Sequence, residues 1–267
     1  MTTSSSPGDP TDLTQSLVDE LLAASSLPWR DVTVLASTGS TNADLGERLA
    51  AGTAGEGSVV AAGEQTSGRG RQGRDWQSPP GTSLSLSVAL QPPVERSGFV
   101  PTLVALGVLR AIRGLCDVDV TLKWPNDVMI GDGKVAGILA EGTAGGVVVG
   151  CGINVSVPQD DLPVPTATSL ALHGADVDRA RLLVTVLEQI HAANELWRES
   201  AYSAEGSGLL AGYSAVCGTI GAQVEVALPD GTVLTGRAED VDDEGRLVVL
   251  TDSGRRTLTA GDVLHVR

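Results

Sequence analysis

Aromatic side chains are scarce in this sequence: four Trp, two Tyr and one Phe among 267 residues. The core therefore has to be filled by Val, Leu, Ala and Ile, and a hydrophobic share of 42% is enough to build a substantial one. Cysteine is also rare. Cys116, Cys151 and Cys217 are odd in number and far apart, so neither a disulfide framework nor a CxxC metal knuckle can be assembled from them. Buried free thiols in a reducing compartment are expected. Positive charge is the third deficit: 18 Lys and Arg against 33 Asp and Glu give a formal net charge of -15. That balance argues against a broad basic footprint for nucleic acid or an anionic membrane. No apolar run reaches the roughly 18 residues of a membrane span. Met1 to Thr14 has no basic n-region and no apolar h-region, so no signal peptide is expected. A cytoplasmic enzyme or binding protein remains, long enough for one large domain or a large and a small one.

Against this acidic background one stretch concentrates positive charge. Gly68-Arg69-Gly70-Arg71-Gln72-Gly73-Arg74 interleaves three arginines with three glycines. Glycine permits close backbone approach and positive φ. Arginine offers a planar fork of donors that fits phosphate or carboxylate. On these residues alone two readings stand: a mobile loop that closes over an anionic small molecule, and a solvated basic hairpin tip.

Residues 1–10 have the composition of a disordered tail. Thr11 to Ala24 carries Leu13, Leu17, Val18, Leu21 and Leu22 at helical spacing. No second and recognition helix follows it, as a helix-turn-helix would require. Strands are expected at 31–35, 58–62, 84–90 (one buried face), 118–122 and 146–155 (buried on both faces). A hairpin is expected across Gly131-Asp132-Gly133. Helices are expected at 43–51, 100–115 and 178–200, with Ser37 to Asn42 as a polar loop that also caps the first of these. Trp197 falls on the apolar stripe of the last helix and is expected in the core, as is Trp124. From about Ser214, short strands alternate with Pro229-Asp230-Gly231, Asp242 to Gly245 and Asp252-Ser253-Gly254, the rhythm of a small β-barrel. The organisation is an N-terminal tail and helix (1–28), an α+β domain with a mixed β-sheet (29–213) and a small C-terminal β domain (214–267).

Much familiar chemistry is missing. The glycines are read neither as a Walker P-loop, since GxxxxGK[ST] does not occur, nor as a dinucleotide fingerprint. There is no GxSxG elbow, and His173, His191 and His265 are scattered, so nucleophilic triads and zinc sites find no support. Three polar clusters remain, each in a loop or hairpin after a strand: Ser40-Thr41-Asn42, Gln65 with the arginine loop, and Lys123 to Asp127 with Lys134. The set suits attack of a carboxylate on the α-phosphate of ATP, which needs placement and charge neutralisation more than covalent help.

Gly68 to Arg74, Lys123-Trp124-Pro125-Asn126-Asp127, Lys134 to Glu141 (KVAGILAE) and Gly152-Ile153-Asn154 closely resemble the biotin–protein ligases. Ser40-Thr41-Asn42 and Gln65 stand in the right order before them, and the resemblance spans about residues 31–267. Gln72 stands where some members have a further arginine. The resemblance implies a class II synthetase-like catalytic domain of the biotin/lipoate ligase type, followed by an SH3-like barrel. It implies an enzyme of the monofunctional type that forms biotinyl-5′-AMP from biotin and ATP, with Mg2+. The biotin then passes to a lysine of a biotin carboxyl carrier domain of an acyl-CoA carboxylase. By the same resemblance Ser40, Thr41, Asn42 and Gln65 hold the biotin ring, and Gly137 and Leu139 wall its tail. Arg69, Gly70 and Arg71 lie in the loop over the adenylate. Arg71 and Arg74 hold phosphate oxygens, and Lys134 bridges the carboxylate and α-phosphate. Trp76, Asn126 and Asn154 approach the nucleotide. Asp127 either orients Lys134 or helps place Mg2+. The C-terminal domain is expected mainly to brace the catalytic one. A lipoate–protein ligase and a biotin-sensing repressor are the competing readings.

Overall fold

Gly146–Asn154, a strongly apolar run, becomes the central strand of a seven-stranded sheet. The computed structural model describes residues 12–259 and 261–265, so the expected disordered tail 1–10 lies outside them. In chain order the elements are α1 (Gln15–Ala24), β1 (Val32–Leu35), α2 (Thr41–Ala50), β2 (Val59–Ala62), β3 (Gln65–Arg69), β4 (Asp75–Ser78), β5 (Ser83–Leu90) and α3 (Val100–Leu115). Then come β6 (Val120–Lys123), β7 (Asp127–Ile130), β8 (Gly133–Thr143), β9 (Gly146–Asn154), α4 (Arg179–Glu199) and α5 (Leu209–Ser214). The C-terminal strands are β10 (Gln223–Ala227), β11 (Val233–Val241), β12 (Leu247–Thr251), β13 (Gly254–Leu258) and β14 (Asp262–His265).

The large sheet has the order β1-β2-β5-β9-β8-β7-β6. Only β1 and β2 pair in parallel, so the sheet is mixed, as the uneven order of helices and strands predicts. Helices α3 and α4 cover one face with Leu103, Leu106, Leu183, Val186, Leu187 and Ile190, all buried. Trp197 is fully buried beside Phe99 and Tyr202, as its periodicity implies. The opposite face carries α2, whose Leu45 and Leu49 pack on Val60, Ala89 and Val148. The C-terminal strands form a second, antiparallel sheet of order β13-β12-β11-β10-β14, an SH3-like arrangement.

Four expectations change. Strand β5 buries all eight residues, not one face, because α2 covers Ser87 and Ala89 and β4 covers Ser85, which bonds to Ser78. Helix α2 starts at Thr41 rather than Ala43, so Thr41 and Asn42 are helical. Ser40 occupies its N-cap position without a side-chain cap bond. The helical stretch Val94–Leu115 is long and apolar enough to cross a membrane by length and composition, yet it is mostly buried in the core. Arginines at 96, 110 and 113 interrupt its apolar run in the sequence. Finally, Gly68, Gly70 and Gly73 do have the spacing of a dinucleotide fingerprint. What excludes that reading is that β3 turns back into β4 instead of opening a helix.

Two buried features carry measurable consequences. Arg179, 1% exposed, caps the sheet from the first turn of α4 and donates from Nε to Asp12 Oδ1 at 2.6 Å and from Nη1 to Ser83 O at 3.2 Å. Asp12, 7% exposed, is thereby stitched to an element 167 residues away. Removing one partner strands a buried charge, so Asp12→Ala should lower unfolding free energy by about 3–5 kcal/mol in urea titration. An unchanged midpoint would remove the stitch. The three cysteines are free and buried. Burial raises the Cys151 pKa to about 12, against a smaller opposing pull from Lys134. Below that value the group is a neutral thiol, so at pH 8 Cys151 should not react with a thiol reagent until the protein is unfolded.

Candidate active site

Three local devices aim side chains into the space over β8 and β9. The first is the start of α2. The loop before it pairs along β3, with Thr66 N donating to Thr38 O and Ser67 N to Gly39 O, both at 2.9 Å. Gln65 is thereby brought against Thr41, whose backbone N and hydroxyl lie 2.9 and 3.1 Å from Gln65 Oε1. Ser87 reaches up from β5, 2.7 Å from Thr41 Oγ1 and 2.6 Å from Asn42 Oδ1. Asn42 Nδ2 donates to Leu139 O at 3.2 Å and to Glu141 Oε2 at 2.6 Å. Ser40, Thr41 and Asn42 are all buried. The result is a neutral, interlinked set of donors and acceptors, which is how buried polar groups become tolerable.

The second device is a bulge between β7 and β8, where Val128 faces Ala136 but Met129 faces Lys134. Bulges re-aim side chains. Here Lys134 Nζ stands 2.7 Å from Asp127 Oδ1 and 5.5 Å from the centre of the Trp76 ring. The third device is the β3–β4 hairpin, which carries the glycine/arginine stretch at its tip. Gly70 N donates to Arg74 O at 2.6 Å, and Gln72 and Gly73 adopt positive φ to make the turn. Arg71 Nη1 donates to Asn126 Oδ1 at 3.3 Å, while Asn126 Nδ2 donates to Ile138 O at 2.7 Å. Arg69 pairs with Glu141 at 3.3 Å, and Arg74 Nη2 lies 2.8 Å from Asp262 Oδ1. Burial lowers the Arg71 pKa, against opposing pulls from the charges of Asp262 and Asp127.

Glycines make the floor. A Cβ on Gly152 would stand 2.2 Å from Trp76 Nε1, and one on Gly150 would stand 2.3 Å from Asn42 Oδ1. Side chains at either position would lift the Trp76 indole or the Asn42 amide off the sheet. Trp76 Nε1 is buried and has no hydrogen-bond partner among the described residues.

Every residue expected at the site lines one cavity of about 530 Å3: Ser40, Thr41, Asn42, Gln65, Arg69, Gly70, Arg71, Arg74, Trp76, Asn126, Asp127, Lys134, Gly137, Leu139 and Asn154. That volume suits a small organic ligand. Asn154 is committed in part, since its Nδ2 donates to Thr168 O at 2.9 Å. Trp124 is buried, and its indole donates to Gly245 O at 2.9 Å. Sequence reasoning missed Ser87, which a serine-alternating strand suggests is solvated. It assigned no role to Glu141, although it quoted that residue. It also missed the Pro163 to Ala167 wall, and Asp262, Val263 and Leu264 from β14. The glycines Gly150 and Gly152 inside an apolar strand were the legible signal for a close approach. Among the described residues no three His, Cys, Asp or Glu side chains gather as a metal site. Asp127, the candidate ligand, is already paired with Lys134. The residues do not fit a resident metal, and any Mg2+ would arrive with its nucleotide.

The family model described as Biotin/lipoate A/B protein ligase family matches residues 34–157, and that for the Biotin protein ligase C terminal domain matches residues 219–266. A biotin–[acetyl-CoA-carboxylase] ligase of Mycobacterium tuberculosis is 42% identical over 262 residues, 95% of each chain. A bifunctional ligase/repressor of Bacillus spizizenii is 31% identical over 86% of this chain and 71% of its own length. The solved structure of Aquifex aeolicus biotin protein ligase in complex with biotin and ATP is similar at a TM-score of 0.74. It is 27% identical, with 89% of this chain and 99% of that one covered. On its sequence, its fold and both matched regions, the chain belongs to the biotin protein ligases of the biotin/lipoate A/B protein ligase family.

Proposed function

We propose that this chain is an ATP-dependent biotin–protein ligase, with residues 29–213 as its catalytic domain and 214–267 as its C-terminal domain. The observation that supports it is the polarity of a single cavity. One end is neutral and interlinked by hydrogen bonds among Thr41, Asn42, Gln65 and Ser87. The other end gathers Arg69, Arg71, Arg74 and Lys134. Biotin is neutral apart from its carboxylate. Its ring suits the first end, where a charged residue would add desolvation cost. Its carboxylate and the phosphates of ATP suit the second.

In the first half-reaction a biotin carboxylate oxygen attacks the α-phosphorus of ATP. The bond to the bridging oxygen breaks, and pyrophosphate leaves with the electron pair. Lys134, set by the bulge and held by Asp127, stands where the carboxylate and α-phosphate meet and neutralises the charge gathering there. Arg69 and Arg71 lie over the phosphates. Arg74 is engaged by Asp262. Trp76 offers its unpartnered indole N–H and its ring face to the ligand. In the second half-reaction the ε-amine of a carrier-domain lysine attacks the anhydride carbonyl. An amide forms and AMP leaves. A hairpin that closes over the anhydride keeps water from competing with the amine. The acceptor is the biotin carboxyl carrier domain of an acyl-CoA carboxylase, in the cytoplasm, without nucleic-acid or membrane partners.

Incubation with biotin, ATP, Mg2+ and a carrier domain should raise the carrier mass by one biotin. Lipoate bound in calorimetry without biotin binding would overturn the assignment in favour of a lipoate ligase. Lys134→Ala and Arg71→Ala should each slow adenylate formation by about 10²-fold or more while leaving the melting temperature in place. Full transfer by the Lys134 variant would remove its role.

A further inference from the structure

Arg74 differs from the other cations of the cavity in where its guanidinium is held. One nitrogen, Nη2, lies 2.8 and 2.9 Å from the two oxygens of Asp262, 188 residues away on β14. Its Nε donates to Arg71 O at 3.3 Å, and its own carbonyl accepts from Gly70 N at 2.6 Å. Arg74 thus ties the backbone of the hairpin tip to the C-terminal sheet. Next along this chain of contacts is Arg71, whose guanidinium reaches Asn126.

The C-terminal sheet is a firm post for such a tie. Trp124 N donates to Thr219 Oγ1 at 3.1 Å, the Trp124 indole donates to Gly245 O at 2.9 Å, and Gly218 N donates to Leu122 O at 2.8 Å. These contacts bolt the segment before β10 and the β11–β12 turn to β6 and the turn after it. Asp262 then projects from the last strand to the cavity mouth. The negative charge of Asp262 also opposes the lowering of the Arg71 pKa by burial.

From this chain of contacts we propose that Asp262 is a positioning residue for adenylation, acting through Arg74, which tethers the hairpin instead of binding phosphate. The proposal rests on the reading of the cavity as a biotin adenylation site. A phosphate held by Arg74 would have to break the carboxylate contact and release the tip at the moment the tip is needed. The tether also gives the C-terminal sheet a part in the first half-reaction, beyond bracing. Arg74 and Asp262 are 61% and 39% exposed, so their pair adds little to global stability. Cutting it should move the hairpin and leave the fold.

The test is a charge swap read by biotin-dependent ATP–pyrophosphate exchange. Asp262→Asn and Arg74→Ala should each raise KM for ATP or lower kcat, roughly ten- to a hundredfold in kcat/KM, with an unchanged melting temperature. The double variant Arg74→Asp with Asp262→Arg should recover to within about threefold of the parent, since a tether works in either polarity. A phosphate ligand does not: a swap that stays as impaired as Arg74→Asp overturns the proposal. A readout independent of activity is tryptic cleavage after Arg69 and Arg71. It should speed up in Asp262→Asn and return to the parental rate in the swap, and equal rates in all three proteins overturn the tether. A parent protein without exchange, but with the expected cleavage pattern, would sink the adenylation reading while leaving the contact itself in place.

Discussion

Five cationic residues line one cavity of an acidic protein, and four of them are each met by an oxygen of the chain. Lys134 faces Asp127, Arg69 faces Glu141, Arg71 faces Asn126 and Arg74 faces Asp262. Like charges this close would otherwise repel, and their partners come from three parts of the fold: Asn126 and Asp127 at the entry to β7, Glu141 on β8 and Asp262 on β14. The bulge that sets Lys134, the long β8 that carries Glu141, the turn after β6 and the last strand of the chain all serve this arrangement. An incoming set of phosphates competes with Asp127, Glu141 and Asn126 for Lys134, Arg69 and Arg71, while Arg74 stays on Asp262. The site is thus already arranged for negative charge, and little reorganisation is needed when it arrives.

The neutral end of the cavity follows the opposite rule. Its groups are short and uncharged, bonded to one another and, through Asn42, to Leu139 and Glu141, which lowers the cost of burial. Asn42 joins the two ends, since the same amide that lies on Gly150 donates to Glu141, which in turn holds Arg69. A ligand occupying the ring end is therefore two contacts from the hairpin that covers the phosphate end.

What was legible in the sequence is what is compact in sequence. The arginine stretch, the Lys123 to Asp127 turn and the Lys134 to Glu141 strand announce themselves because each cluster is contiguous. The mixed sheet and the small C-terminal β unit follow from periodicity and turn residues. Ser87 was hidden because alternation on β5 normally marks a wet face, and packing of α2 and β4 makes that face dry. Asp262 was hidden because its meaning depends on a partner 188 residues away. Helix α2 began earlier than expected because Thr41 and Asn42 look like loop residues until their bonds to Gln65 and Glu141 are seen. The hairpin character of the arginine stretch was one of two open readings, and the fold shows it to be a hairpin tip that is also part of the cavity wall.

The central claim is that this tip is a lid, tethered through Arg74 and Asp262, whose other light contacts, Arg69 with Glu141 and Arg71 with Asn126, give way to an anionic adenylate. Amide hydrogen exchange across residues 68–74, with and without a non-hydrolysable biotinyl-adenylate analogue, addresses it most directly. The account predicts rapid exchange in the free protein and marked slowing on binding. Equal exchange in both states would contradict it and leave the arginines as fixed wall.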